Sequence, residues 1–449
     1  MIQNMTPQQQ LARVNQLAQQ RQLPQALTIA QGINQQHPQF APAWLSSAIL
    51  YFQTNQAQKA EQALGKARQL EPENETFAFH EIMMLDAMNR PELALQLAQK
   101  LANIPLSDDA MNKSLAYIFE KNEDFKAALR LFKHLSKQQP RHTGWLLKMA
   151  QIEQNLGHFA AAEKRCQQVL IIQPGNADAL FILSHLKKQT EQNNHIDQLI
   201  QLSQQQPASE QAKIYFALAK ELEDCQQYAE SFTARKKAAD IYRQSFQYEI
   251  ASDLSFMQQI RTDFNAEFMQ KNMTGHDTDE PVFIVGLPRS GTTLLDRIIT
   301  SHSEVMAAGE LKQFNRCMLQ GLQAMNLNPQ LSRTEIVTAS TGLDFLKLGE
   351  AYLRTSRTRT GHTPHFTDKF PQNSYYVGMI LKALPQAKII IMKRHPIAVC
   401  YAVYNQLFNE DSYLYSYDLE EMADYYIEHD KLLSHWQHIG DDRVITVYY

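Results

Sequence analysis

PVFIVGLPRSGTTLLDRIITSH, residues 281–302, reads as a strand, a turn and the start of a helix. Val282 to Val285 form an unbroken β-rich apolar run, and after Thr293 the apolar spacing becomes helical. Amide hydrogens in the first turn of a helix have no internal acceptor, and the helix dipole adds partial positive charge there, so such a turn is a ready anion site. Gly286 and Gly291 let the backbone bend tightly and approach a ligand with no β-carbon in the way.

The run Gly286-Leu287-Pro288-Arg289-Ser290-Gly291 has the G-x-x-x-x-G spacing of a nucleotide triphosphatase loop, but Thr292 stands where that loop carries its lysine. The cation must come from elsewhere, and Arg289 is the candidate, because its planar fork pairs bidentately with phosphate or sulfate oxygens. A bare strand, turn and helix with no ligand is the competing reading. A nucleotide kinase fits poorly, for want of the loop lysine and of an evident Mg²⁺-binding Asp after an apolar strand.

Further β-rich runs follow at 365–370 (HFTDKF), 388–394 (KIIIMKR) and 443–449 (RVITVYY), separated by helical stretches. Apolar strands alternating with helices predict a parallel sheet covered on both faces. Toward the N-terminus, the helical period fails between Phe264 and Glu280, where MTGHDTDEP reads as a turn-rich linker.

The first half repeats itself. Ala26, Ala60, Ala94, Ala128 and Ala162 are spaced by 34 residues, with Pro38, Pro72, Pro140 and Pro174 twelve residues after four of them and Pro105 one residue early in the third unit. An Ala at that spacing marks the place where two helices cross closely, and the Pro ends the second helix because it cannot donate the next backbone hydrogen bond. Trp44 and Leu146, sixteen residues before Ala60 and Ala162, are first-helix anchors. The pattern decays where Ile196 replaces Ala in the unit ending at Pro207, and a last helical pair containing Ala229 is expected to cap the array.

Composition sets outer bounds. The 449 residues suffice for two or three domains, and a formal net charge of −4 with 20% charged residues lacks the basic excess of a nucleic-acid binder. Cys166, Cys225, Cys317 and Cys400 have neither zinc-site nor disulfide spacing, which points to reduced thiols and a cytoplasmic protein. No signal-like segment opens the chain and no apolar run reaches membrane-spanning length, so neither secretion nor membrane insertion is expected.

Residues 5–207 resemble the tetratricopeptide family. P-R-S-G-T-T behind a strand resembles the 5′-phosphosulfate loop of the sulfotransferase family, and the run on to His302 and Gly309-Glu310 is similar to its tyrosylprotein branch. The expected fold is therefore multidomain: an all-α tetratricopeptide superhelix over 1–207, a degenerate repeat and helical connector over 208–263, a linker over 264–280 and an α/β P-loop-like sulfotransferase domain with a parallel sheet over 281–449. The repeat groove would bind a protein or peptide; a rigid spacer or a homodimerisation arm is the alternative. The resemblance implies 3′-phosphoadenosine 5′-phosphosulfate as donor and no metal, with Arg289, Ser290, Gly291, Thr292 and Thr293 holding its 5′ end.

The same resemblance places the catalytic base at Glu310, the cation on the leaving oxygen at Lys369, a 3′-phosphate ligand at Arg394 and a tyrosine near the nucleotide at Tyr449, with Arg289 shared between binding and catalysis. A carboxylate is a weak base toward a phenol, so its proton moves late, as the sulfuryl group transfers. Glu310 reads alternatively as an N-terminal charge on a helix over 311–322, and Lys369 as a surface lysine. Ala402 and Gln406 stand where the family carries further 3′-phosphate donors, which leaves Tyr401, Asn405 or Gln406 to supply that contact or leaves a scaffold with impaired catalysis. The strand at 443–449 is expected to be followed by more chain in a complete domain. The accepting hydroxyl is that of a protein tyrosine, a saccharide or a lipid.

Overall fold

The computed structural model describes residues 5–449 apart from 89, 104, 272, 273, 326, 328, 329 and 409–411. The chain forms two compact units, Met1–Lys187 and Lys188–Tyr449.

In the first unit helices come in antiparallel pairs: Pro7–Gln19 with Leu23–Gln36, Ala41–Gln53 with Ala57–Leu70, Glu75–Ala87 with Pro91–Leu101, Asp109–Lys121 with Phe125–Gln138, and Thr143–Asn155 with Phe159–Ile172. The 34-residue Ala is the fourth residue of the second helix in every pair, and all five are completely buried. Pro38, Pro72, Pro140 and Pro174 each lie two residues past a helix end. Side chains of Thr6, Asn74, Asp108, Asp124 and Asn176 accept first-turn amide hydrogens and fix where helices begin. A core running from Ile82 through Phe119, Phe132 and Met149 to Leu186 passes from pair to pair, as a solenoid of stacked repeats requires.

A crossing residue with no spare volume has a measurable consequence. Ala128→Leu should cost about 1–3 kcal/mol by overpacking, read as a lower urea midpoint of the helical signal. Ala229→Leu, at an exposed position, should stay within about 0.5 kcal/mol of the parent; equal losses would show that the crossing geometry is not what selects Ala128.

The helical pair expected around Ala229 is present. Helices Ala208–Asp224 and Tyr228–Arg243 do pair, but the crossing residue is Ser231, which is buried and donates its hydroxyl hydrogen to the Ala219 carbonyl at 2.6 Å. This pair belongs to the second unit. Arg235 is buried, donating to the Asn405 carbonyl at 3.2 Å and to Glu223 at 2.9 Å, while Arg243 grips both oxygens of Glu421 at 2.9 and 2.7 Å. Helix Ile250–Asp263 follows and is pinned by Arg261 to Glu428.

The stretch 264–280, read from sequence as a turn-rich linker, holds a short helix at Ala266–Gln270, and its residues 272 and 273 lie outside the described residues. It is fastened to the domain. Lys382 Nζ donates to the carbonyls of Met269 and Lys271, His276 N–H donates to the Ala383 carbonyl, and Glu280 pairs with Arg357.

Five strands make one sheet: β1 Pro281–Gly286, β2 Val305–Ala307, β3 His365–Lys369, β4 Lys388–Lys393 and β5 Val444–Tyr448. Their order is β2-β3-β1-β4-β5, with every pairing parallel. Ile389, Ile390, Ile391 and Met392 are all buried, as are Phe283, Ile284 and Val285, so the central strands are covered on both faces. In such sheets ligands bind at the carboxyl ends of the strands, and those ends carry the segments treated next.

Candidate functional site

Gly286 ends β1 with φ +148°, and a β-carbon there would stand 2.5 Å from the Met392 carbonyl oxygen. Arg289 turns the chain at φ +66°, Ser290 N–H donates to the Leu287 carbonyl at 3.3 Å, and Gly291 caps the helix Thr292–Ile299 at φ +103°. A β-carbon on Gly291 would come within 2.7 Å of the Tyr449 ring and 3.0 Å of the Met392 methyl. Glycine at 286 and 291 is therefore what lets the loop pack this closely against Met392 and Tyr449, and the turn so formed is the glycine cradle of the site.

The residues read from sequence as holding a nucleotide come together here. Ser290 and Thr292 are buried, Arg289 and Thr293 are exposed, and Ser290 Oγ is a buried hydroxyl with no hydrogen-bond partner among the described residues. Arg394, just past β4, donates to the Arg289 carbonyl at 3.2 Å and lies with its guanidinium carbon 4.7 Å from the Tyr449 ring centre. Tyr449 N–H donates to the Lys393 carbonyl at 2.9 Å, which holds that ring over Gly291. Of the residues read as alternative 3′-phosphate contacts, Asn405 offers its backbone carbonyl to Arg235 at 3.2 Å. Gln406 donates to the Leu407 carbonyl.

On the neighbouring strand, Lys369 aligns with Ile284 of β1, and its Nζ meets Glu310 Oε1 at 2.5 Å. Lys369 is largely buried, with 12% of its side chain exposed, whereas Glu310 is open to solvent at 44%. The helix after Glu310 starts only at Gln313, with Lys312 as its N-cap, so Glu310 lies outside the first turn and its partner is Lys369 rather than the helix end. Two backbone bonds fix the pair, Lys369 N–H to the Gly309 carbonyl and Ala308 N–H to the Thr367 carbonyl, both 3.0 Å.

Two buried carboxyl groups beneath this pair escape sequence reading. Asp296 accepts from the Thr367 hydroxyl at 2.5 Å, tying the loop's helix to β3. Asp368, completely buried, accepts from the Tyr352 hydroxyl at 2.9 Å and from Leu311 N–H at 3.3 Å, so it grips the residue next to Glu310. A lone Asp in a run as short as HFTDK looks like a surface residue. Its only signal is that a charge interrupts an otherwise buried strand.

Burial pushes Asp368 up from 3.8 to about 7, against the lowering effect of its hydrogen bonds. The sign follows from proton counting. Between pH 3.8 and about 7 the folded state holds a proton that the unfolded state has lost, so stability falls as pH rises through that window. Asp368→Asn should flatten this slope in unfolding titrations at pH 4 to 8, and a slope equal to that of the parent would refute the assignment.

Residues 281–449 match the Sulfotransferase family, and residues 17–78 and 120–184 match the Tetratricopeptide repeat. An uncharacterized protein of Aquifex aeolicus (strain VF5) is 27% identical over 340 residues, covering 74% of this chain; the chain spans 44% of that relative's length. Among solved structures, YrrB, described as a TPR protein with an unusual peptide-binding site, has a TM-score of 0.33 at 19% identity, over 38% of this chain and 88% of its own. PilF of Pseudomonas aeruginosa has a TM-score of 0.35 at 15% identity, over 51% of this chain and 96% of its own. The chain thus carries a tetratricopeptide-repeat region followed by a sulfotransferase-family domain with a parallel sheet. Among the described residues, no helix is long and apolar enough to cross a membrane.

Proposed function

We propose that a tetratricopeptide region joined to a sulfotransferase-family domain makes this protein a cytoplasmic enzyme that moves a sulfuryl group from 3′-phosphoadenosine 5′-phosphosulfate to the hydroxyl of a protein tyrosine. The repeat array, over about residues 1–207, would bring the acceptor protein to the domain at 281–449 through the connector at 208–263 and the linker at 264–280. The observation that carries the reading is the meeting of Glu310 with Lys369 at 2.5 Å, one strand away from the glycine cradle.

The residues present fit the donor. Ser290 Oγ is a buried hydroxyl with no hydrogen-bond partner among the described residues, in the loop that leads into the helix Thr292–Ile299, whose first-turn amides would meet a phosphosulfate end. The donor supplies an activated sulfur–oxygen bond. Arg289, Ser290, Gly291, Thr292 and Thr293 would hold its 5′ end through first-turn amides, hydroxyls and a guanidinium, and Arg394 would hold the 3′-phosphate with Tyr449 alongside. In the transfer, the bond from sulfur to the phosphate oxygen breaks and a bond from sulfur to the acceptor oxygen forms. Lys369 and Arg289 neutralise the charge gathering on the departing phosphate oxygen, and Glu310 takes the acceptor's proton. Glu310 is exposed enough to be reached by an acceptor, and Lys369 is buried enough to act in a poorly hydrated site.

Calorimetric titration of the full chain with 3′-phosphoadenosine 5′-phosphate tests the donor assignment, with ATP and Mg²⁺ as the rival ligand. Saturable binding of the first alone supports it. Binding of ATP with Mg²⁺ alone would establish a kinase-like site, and binding of the desulfated nucleotide with no transfer to any hydroxyl would establish a nucleotide-binding scaffold.

A further inference from the structure

The helix Phe125–Gln138, second of the fourth pair, buries Ala127, Ala128, Leu131, Phe132 and Leu135, and the Asp124 side chain accepts Ala127 N–H to fix where it starts. That register decides what the opposite side shows. Lys126, Arg130, Lys133 and Lys137 recur at the three- and four-residue steps that share one helix face, and all four are exposed. From Phe125 to Ile152 the chain contains no acidic residue. His134, at the edge of the row, meets Asp109 at 3.2 Å, and Arg130 donates to the Ala102 carbonyl. Among the described residues, no carboxylate pairs with any of the four exposed cations.

This row works against the helix that carries it. Like charges three and four residues apart destabilise a helix, and Lys126 lies in the first turn, where the dipole disfavours a cation. Only Lys137, in the last turn, sits where the dipole favours one. An ordinary solvated face mixes the two signs, so that its pairs support the helix; here every such pair opposes it, and a bound anion would reverse the sign. With Pro105, Leu129 and His134, the four cations line a trough of about 440 Å³.

Spacing and lining select the occupant. At 1.5 Å per residue the successive cations are about 6, 4.5 and 6 Å apart along the helix axis, close to the ~6.6 Å at which side chains on one side of an extended chain recur. A segment of about six residues with a carboxylate at every second position therefore matches the row charge for charge. Nucleic acid fits less well. Among the described residues no Phe, Tyr or Trp lines the trough for a base to stack on, and the chain's formal net charge of −4 repels a long polyanion. We propose that the exposed face of the helix Phe125–Gln138 is a docking site for an extended acidic segment of a partner protein, held by Lys126, Arg130, Lys133 and Lys137. The inference does not depend on the transfer reading, because docking is measured by binding alone.

The experiment is fluorescence anisotropy of a labelled peptide of alternating glutamate and serine, titrated with the full-length protein. The parent is compared with the double variant Lys126→Gln, Lys133→Gln and with the control Lys59→Gln, Lys100→Gln, which removes the same charge from exposed positions elsewhere in the repeats. The expected result is saturable binding by the parent, weakened at least about tenfold in the first variant by loss of two charge-assisted contacts, unchanged in the control, and weaker as salt is raised. The first variant should also unfold at a urea midpoint no lower than the parent's, because it relieves like-charge repulsion. Absence of binding by the parent would overturn the inference, as would equal losses in the two double variants, which mark a general charge effect. Displacement of the peptide by oligothymidylate at equal concentration would make the row a nucleic-acid surface, and a lowered urea midpoint in the first variant would make it a support of the fold; either result also overturns the inference.

Discussion

Glu310→Ala is expected to lower kcat by about 10²–10⁴-fold, the usual worth of a positioned general base, while the affinity for 3′-phosphoadenosine 5′-phosphate stays unchanged. The side chain meets Lys369 at 2.5 Å and is 44% exposed. The local backbone is held by other bonds, Lys369 N–H to the Gly309 carbonyl and Leu311 N–H to Asp368. Loss of the carboxylate should therefore leave the frame in place. Glu310→Gln separates the two roles the contact permits. Glutamine still accepts a hydrogen bond from Lys369 but cannot take a proton, so a base requires the Gln and Ala variants to be equally slow. Recovery of turnover in the Gln variant would make Glu310 a brace for the lysine. Single-turnover kinetics with donor prebound, alongside calorimetry, give both readouts.

Gly291→Val should abolish donor binding, raising Kd by at least about 100-fold, or about 2.8 kcal/mol. Two independent penalties meet at this position. The backbone sits at φ +103°, which a β-branched residue adopts only with strain, and the added carbon would lie 2.7 Å from the Tyr449 ring. Relief requires that ring to move, and it is the ring over which Arg394 is placed. One substitution thus disturbs the loop amides and the guanidinium assigned to the 3′-phosphate together. Gly361→Ala is the matched control, because Gly361 also has positive φ, +57°, but has open space around it. Its variant should lose some stability and no nucleotide affinity. Equal binding losses in the two variants would show that the effect is general backbone strain and not closure of the cradle.

Much of this architecture is legible in the residues because two strong periodicities carry it. The 34-residue Ala spacing survives in five consecutive pairs, since every pair buries the same crossing point, and β1, β3, β4 and β5 show themselves as compact β-rich runs. The missing strand, β2, has three residues and no period to detect; it is fixed by its pairing to β3, from Val305 with His365 to Ala307 with Thr367. That pairing also brings Glu310 to Lys369 across 59 residues of sequence, a contact that no local pattern encodes. Ser231 was illegible for another reason. Once the repeat decays, a small polar residue whose hydroxyl is satisfied by the Ala219 carbonyl can replace Ala at a crossing, and a search for Ala finds the exposed Ala229 instead. Asp296 and Asp368 are hidden because a buried carboxyl is made tolerable by partners from other elements, Thr367 in one case and Tyr352 with Leu311 in the other.

The division of the fold between residues 187 and 188 bears on where the last helices belong. Arg235, Arg243 and Arg261 rivet the last helices of the all-α half to the sheet-bearing half, so those helices behave as part of the chemistry's own housing rather than as the tail of the solenoid. All three arginine contacts lie within Lys188–Tyr449, so those helices share one packing problem with the sheet.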